Sequence, residues 1–445
     1  MLVRAWFFGA VLLFSSVSTG FAAEVQVDVL PEYLKIAAEN NGELRSAFAS
    51  WRAAVQRAPQ VSTLPDPQLN FGVYIVPVET RVGPQRLSYG LSQKFPWLGK
   101  LAAKEKIALK DSDALKAKAD AIKLRIFRDV KVSYYELAYL YSAIQLTAER
   151  IELLEYLEAT IRTRYAAGNA LYSDVLRSQV ELDSARNRKA SLEDLKTPLV
   201  ARINATMGRK FDEPVRIARN VSEYELQVTD EQLRQLLEQL NPDLLQYDSK
   251  VESANAQIEL AEKNYYPDVT VGITSIYTDK ARSGDPSQNG DDPVIASVGI
   301  NLPIWQESRD AAVEEGREKR LAALKGKKGR KDVLIADLEL ALFQYRDELR
   351  QMALYQQSLL PKAEQAVEVT MQSYQSGEVD LQEFISAETT YFDLYLAYVR
   401  ALTNQAQRIA KLEQLVGKEL PVAQRSTPDV ASFSLPEEEL KTQLN

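Results

Sequence analysis

The stretch YAAGNALYSDVL, residues 165–176, returns as YQSGEVDLQEFI at 374–385. Both carry Tyr, then Gly three residues later, then an acid six further on, and they lie 209 residues apart. A repeat of this kind fixes architecture before any other signal is read. Outward from it, Asn41 and Leu44 match Asn241 and Leu244 at a spacing of 200, and Pro67-x-Leu-x-Phe-Gly matches Pro267-x-Val-x-Val-Gly at the same spacing. Phe95-Pro96 matches Leu302-Pro303 at 207, and Gly208 matches Gly417 at 209. The chain therefore reads as two structural repeats, 24–220 and 221–418.

Each half predicts a helix, a β-hairpin, a long helix and a returning helix. Between Gly99 and Gly168 there is no Gly or Pro, and apolar residues recur at Ile122, Ile126, Val130, Leu137, Ile144, Ala148, Ile151 and Ile161, mostly in steps of three, four or seven. From Trp97 to Tyr165 this is one helix of 69 residues, about 100 Å at ~1.5 Å per residue. Its counterpart, 305–374, carries Gly316, Gly326, Gly329 and Pro361 and is expected to bend near the proline. The shorter helices, 32–58 with 170–208 and 230–265 with 378–416, are long enough to lie end to end beside each rod. Gly168 and Gly377 then mark the turns at the far ends as left-handed C-terminal caps. Asp174 and Glu383 fall early in the returning helices.

The ends and the composition bound the function. Residues 1–23, MLVRAWFFGAVLLFSSVSTGFAA, have the Arg4 start, the apolar run from Ala5 to Val17 and the small-x-small end of a secretory signal peptide. Its removal moves the formal charge from −8 to −9, and an acidic surface argues against nucleic-acid binding. The chain contains no cysteine and no histidine, which removes disulfides, thiolate chemistry, a lipid anchor on cysteine, the usual general base and the commonest metal ligand. No phosphate-binding loop is visible. These subtractions argue against an enzyme, a bound metal or a cofactor. Residues 419–445, with three prolines and Glu437-Glu438-Glu439, are expected to form a flexible tail.

The hairpins at 69–95 and 269–302 alternate apolar with small or polar residues, as in Leu69-Asn70-Phe71-Gly72-Val73-Tyr74-Ile75 and Val294-Ile295-Ala296-Ser297-Val298-Gly299-Ile300. Period two over seven to ten residues fits a transmembrane β-strand with lipid on one face and a watery lumen on the other. A half-buried soluble sheet alternates in the same way; secretion, the rods and the Ser/Thr/Gly/Asn/Lys face favour the membrane. Tyr74, Tyr89, Trp97, Tyr277 and Trp305 fall where membrane-interface aromatics are expected. Four strands cannot close a barrel, since about eight is the minimum, and hydrocarbon tolerates no open sheet edge. Several chains must each contribute four strands, and three would give twelve around a usable pore.

This layout resembles the TolC family of outer-membrane efflux ducts over the whole mature chain to about Gly417. The likeness rests on the doubled hairpin-and-rod plan, on Tyr165-x-x-Gly168 followed by Asp174-Val175-Leu176 and Gln179, and on Tyr374-x-x-Gly377 followed by Glu383 and Ala387. The resemblance implies an α+β membrane protein. As a homotrimer it would form a 12-stranded β-barrel in outer-membrane lipid, continued by a long α-helical barrel crossing the periplasm. It would meet a membrane-fusion adaptor and, through it, an inner-membrane pump of RND or ABC type. By position, the resemblance makes Glu383 the constricting acid at the tip and Asp174 and Tyr374 closure contacts, with the turns at Gly168 and Gly377 forming the adaptor-docking end. The basic residue expected two past the second glycine is Val379 here, so that part of the family's lock is missing. FPWLGK, from Phe95, is similar to a variant frequent among heavy-metal efflux ducts.

Other features have simpler readings. Asp174 and Glu383 also fit favourable charges at helix N-termini, worth ~0.3–1 kcal/mol. KGKKGRK, 325–331, reads as a solvated face of the rod. DPSQNGDD, 285–292, has the start of a calcium loop, but Ala296 stands where an acid is required, so a polar hairpin loop is expected. The sequence predicts a passive conduit with no active site. The alternative is a soluble periplasmic coiled-coil scaffold or adaptor built on the same rods.

Overall fold

The computed structural model describes residues 29–217 and 221–425; the expected signal segment and the chain beyond 425 lie outside the described residues. The first half runs α1 (Leu30–Asn40), α2 (Gly42–Val55), α3 (Arg57–Ser62), β1 (Gln68–Thr80), β2 (Gly83–Phe95), α4 (Lys100–Ala166) and α5 (Tyr172–Met207). The second runs β3 (Glu223–Leu226), α6 (Asp230–Leu240), α7 (Pro242–Lys263), β4 (Val269–Thr278), β5 (Val294–Ile300), α8 (Gln306–Leu354), α9 (Leu360–Ser376), α10 (Leu381–Val416) and β6 (Val422–Arg425).

The long rod is continuous: α4 has 67 residues, about 100 Å, and buries Ile126, Val130, Leu137 and Ile161 along its length. Its counterpart is helical throughout but not uniformly α-helical. Between α8 and α9 the backbone passes through a π-helical turn, Tyr355–Leu359, just before Pro361. Proline lacks an N–H and its ring displaces the carbonyl four residues back, so the helix continues only by widening one turn. Gln356 in that turn donates to the Tyr398 hydroxyl on α10.

Two expected helices are each broken in the middle, and for the same reason. The segment expected as one helix at 32–58 is interrupted at Asn41, whose extended backbone lets Oδ1 accept the Leu44 N–H at 3.0 Å while Nδ2 donates to the Thr206 carbonyl at 2.8 Å. The segment expected at 230–265 breaks at Asn241, whose Oδ1 accepts from Asp243 and Leu244 and whose Nδ2 donates to the Leu415 carbonyl at 2.8 Å. Each asparagine thus caps one helix and holds the end of another. Opposite them, Gly208 and Gly417 end α5 and α10 at φ +71° and +95°. A Cβ there would lie 2.6 Å from the Asn40 carbonyl oxygen and 2.5 Å from that of Leu240, so glycine is required by conformation and by space.

The helices lie side by side. Toward the sheet the order is α2/α3, α4, α7, α8; toward the far end it is α5, α4, α10, α8/α9. The strands follow the same sense, β1-β2-β4-β5, all antiparallel. Their outward row is apolar and exposed, with Ile75 at 94% and Leu69 at 77%. The opposite face pairs small residues, Gly72 with Ser88, Gly90 with Thr274 and Gly272 with Ser297. Tyr89 pairs with Phe71, and Tyr277 with Leu87, on the apolar face. Tyr74 lies on the other face: alternation puts it with Gly72, half-buried. No helix among the described residues is long and apolar enough to cross a membrane.

Sheet and rods are tied at Asp268. Its carboxylate accepts from Lys100 Nζ at 2.7 Å, Lys94 Nζ at 3.0 Å and the Trp97 N–H at 3.0 Å, while the Trp97 ring stacks on Tyr266 at 5.0 Å. Burial works against its charge, but hydrogen bonds from Lys100, Trp97 and Lys94 outweigh it and hold the carboxyl at about 2.

The expected flexible tail, 419–445, begins ordered. Leu420 is buried in the core beside α10, and β6 pairs with β3 from Glu223↔Arg425 to Leu226↔Val422. The pairing is held by the Arg425–Glu225 ion pair and by the Tyr345 hydroxyl, which accepts the Leu226 N–H at 3.0 Å.

Candidate functional site

The far end of the molecule is two tight turns. After α4, Gly168 takes φ +78°, its N–H donates to the Tyr165 carbonyl and Asn169 donates to the Arg164 carbonyl. After α9, Gly377 takes φ +79°, with Gly377 donating to Tyr374 and Glu378 to Ser373. A Cβ at either glycine would meet nothing within 4 Å, so the demand is for the left-handed backbone alone.

Asp174 and Glu383 occupy the same position, the third residue of α5 and of α10. Their surroundings differ. Leu171 precedes α5 and has no side-chain acceptor, and the Asp174 carboxylate reaches back to take the Leu171 N–H at 3.3 Å. Asp380 precedes α10 and itself accepts the Glu383 N–H at 3.0 Å. Glu383 is exposed, and among the described residues its carboxylate takes no capping hydrogen bond.

Tyr374 is half-buried between the two turns. Phe384 stacks on it at 6.4 Å and 16°, and the Arg164 guanidinium lies 5.3 Å from its ring centre. Burial pushes its phenol up, Arg164 pulls it back and Asp174 adds to the rise. The fold therefore brings Tyr374 and Asp174 into one electrostatic neighbourhood, although no hydrogen bond joins them among the described residues. A second bridge links the turns, from Arg177 Nη1 to Gln382 Oε1 at 2.9 Å. Sequence reasoning missed Arg164, Arg177 and Asp380. Only Asp380 carried a readable signal, an N-cap acid with Glu three residues later; the arginines find partners more than 200 residues away.

The remaining features are structural. Lys327, Arg330 and Lys331 pair with Asp248, Asp243 and Glu238 along α6 and α7. In the 285–292 loop, Asp292 accepts the Thr278 N–H at 2.8 Å and Asp285 accepts from Asn289 at 2.8 Å, so these side chains hold the loop. Trp97 and Trp305 flank the sheet at the starts of the rods, 37% and 74% exposed.

The model for the outer membrane efflux protein family matches residues 33–209 and 233–418. The chain is 22% identical over 300 residues to the toxin and drug export protein A of Aggregatibacter actinomycetemcomitans, an alignment covering 65% of this chain and 63% of that protein. It is 24% identical over 337 residues to the pyoverdine export outer membrane protein OpmQ of Pseudomonas aeruginosa, covering 74% and 68%. Among solved structures, the outer membrane protein VceC of Vibrio cholerae superposes with a TM-score of 0.71 at 17% identity, covering 87% of this chain and 96% of that one.

Proposed function

The chain belongs to the outer membrane efflux protein family, and from that premise we propose that three copies form a passive duct through the outer membrane and periplasm. Each would give four strands to a 12-stranded barrel and its rods to a helical barrel. A periplasmic adaptor and an inner-membrane pump of RND or ABC type would supply selection and energy. The observation that carries this reading is that both layers are open in the same sense. The sheet ends at β1 and β5, and the helical layer ends at α2, α3 and α5 on one side and at α8 and α9 on the other. Those helical edges expose Leu176, Val180 and Leu195 on α5 and Leu340, Phe343, Leu354 and Val369 on α8 and α9. Lipid does not accept an unpaired strand edge, and four strands cannot close on themselves. Identical neighbours complete both edges at once.

In this duct Glu383 lines the constriction, Asp174 and Tyr374 take part in holding the tip closed, and the turns at Gly168 and Gly377 meet the adaptor. Three exposed carboxylates around one axis repel one another and favour cations. The two curated relatives are named for different cargoes, toxins and drugs in one and pyoverdine in the other, which agrees with selection lying outside the duct. The test is single-channel recording of the purified protein and of Glu383→Gln. Cation preference is expected to fall in the variant; unchanged selectivity removes Glu383 from the constriction, and absence of any pore ends the duct reading.

A further inference from the structure

Sixteen residues before the end of α4, Arg150 is buried and paired. Its Nε and Nη2 donate to the two Glu388 oxygens at 2.9 and 2.8 Å, and Nη2 also donates to Thr389 Oγ1 at 2.8 Å. Its guanidinium lies 4.7 Å from the centre of the Phe392 ring, which Arg188 of α5 also approaches, at 5.3 Å. Glu181 of α5 stands 4.0 Å from Arg150, and Arg188 reaches Asp393 of α10 at 3.4 Å. Glu388 is 1% exposed and Phe392 fully buried. One network thus joins α4, α5 and α10.

Charge of this kind resists sliding. Moving α10 along α4 by a fraction of a turn would leave a buried carboxylate and a buried guanidinium unpaired, which is far more costly than an equal slip between apolar surfaces. Toward the tip the ties between the hairpins are of another kind: apolar packing around Ile161, Val175, Leu381 and Phe384, the Arg164–Tyr374 contact and the Arg177–Gln382 hydrogen bond between exposed side chains. Among the described residues, the three charged side chains of α9, Lys362, Glu364 and Glu368, form no ion pair with another helix. The upper end of α9 is the π-helical turn and Pro361, a place where a helix bends readily.

We propose that the Arg150–Glu388 network is the fixed point of the tip, with Arg150 and Glu388 as positioning residues for Glu383. This rests on the duct reading and says where its opening begins. Glu383 lies five residues tipward of Glu388, about 7.5 Å of helix. The network sets the axial level of the acid ring, and only the chain beyond it, the lower parts of α9 and α10, swings when the constriction widens.

The double variant Arg150→Met/Glu388→Leu separates positioning from stability, because replacing both members of the buried pair by apolar groups of similar size leaves neither of those two charges buried alone, and Glu181, which also faces Arg150, is partly exposed. Its purified oligomer is expected to dissociate on heating at the wild-type temperature. Its resting conductance in planar bilayers is expected to rise by about threefold or more as the acid ring loses its fixed level. Arg150→Glu/Glu388→Arg should return conductance toward wild type.

The absence of cysteine allows site-directed bismaleimide links in that double-variant background. Arg177→Cys with Gln382→Cys, below the network, should abolish the conductance gain, and Glu136→Cys with Arg400→Cys, above it, should leave the gain intact. Wild-type conductance in the double variant, or loss of the gain through the upper link, overturns the fixed point. A leak in the double variant alongside unchanged selectivity in Glu383→Gln removes the acid ring and leaves the fixed point standing. No conductance from any form overturns both.

Discussion

The two halves share a joint and differ at the tip. At the joint, Asn41 and Asn241 make the same three-way connection, breaking a helix, capping its continuation and gripping the end of the returning helix at Thr206 and Leu415. At the tip, the same helical position carries an acid in both halves, but Asp174 is taken up by the Leu171 N–H while Asp380 leaves Glu383 free. A matching residue therefore need not have a matching role. What differs is whether the carboxylate takes the N–H three residues back, as Asp174 does, or stays exposed at the tip, as Glu383 does.

The strongest way to break the comparison is at the joint. Asn241 accepts from two N–H groups and Asn41 from one, and Asn241 is the more buried, 4% against 9% exposed. Asn241→Ala is expected to cost about 2–3 kcal/mol and Asn41→Ala about 1–2, as a lost cap with buried partners left unpaired. The check is the thermal dissociation midpoint of the oligomer in detergent. Equal losses would mean that the halves carry the same load.

Asp268 sharpens it next, because the first half has Gln68 at the corresponding place. The Asp268 carboxyl is held at about 2 in the fold against an ordinary 3.8. A carboxyl depressed in the folded state contributes stability that is complete above about pH 4 and lost as pH falls through 2. That contribution is about 2 kcal/mol. Stability measured from pH 5 to 2 should fall by this amount in wild type, and Asp268→Asn should start lower at pH 5 and lose correspondingly less. Parallel curves would assign the acid sensitivity to other carboxylates.

What the sequence made legible was periodic or local. The glycine-free run gave α4, the alternation gave the strands, and the two Tyr-x-x-Gly stretches gave the far turns. The joint was half legible: Asn41 and Asn241 stood out as matches, yet their grip on a backbone carbonyl some 170 residues away leaves no trace in composition. Arg150 and Glu388 were missed because a charge on the buried face of an otherwise regular helix reads as noise until its partner, 238 residues on, is folded against it. Asp268 was missed for the same reason, one of its lysines lying on β2 and the other at the start of α4, 168 residues away.

The smallest effect concerns the tip itself. Asp380→Ala removes the side-chain N-cap of α10 and is expected to cost about 1 kcal/mol, whereas Asp174→Ala removes a longer hydrogen bond at the start of α5 and should cost about half as much. The informative arm is Leu171→Pro. Proline has no N–H for the Asp174 carboxylate to accept, and residue 171 already has φ −83° and ψ 150°, so the Asp174 carboxylate is released. If free carboxylates at the tip set ion preference, this variant should raise cation selectivity in bilayer recordings, and Leu171→Pro/Asp174→Asn should abolish the increase. Selectivity unmoved by Leu171→Pro would show that position around the axis, and not freedom from capping, distinguishes Glu383 from Asp174.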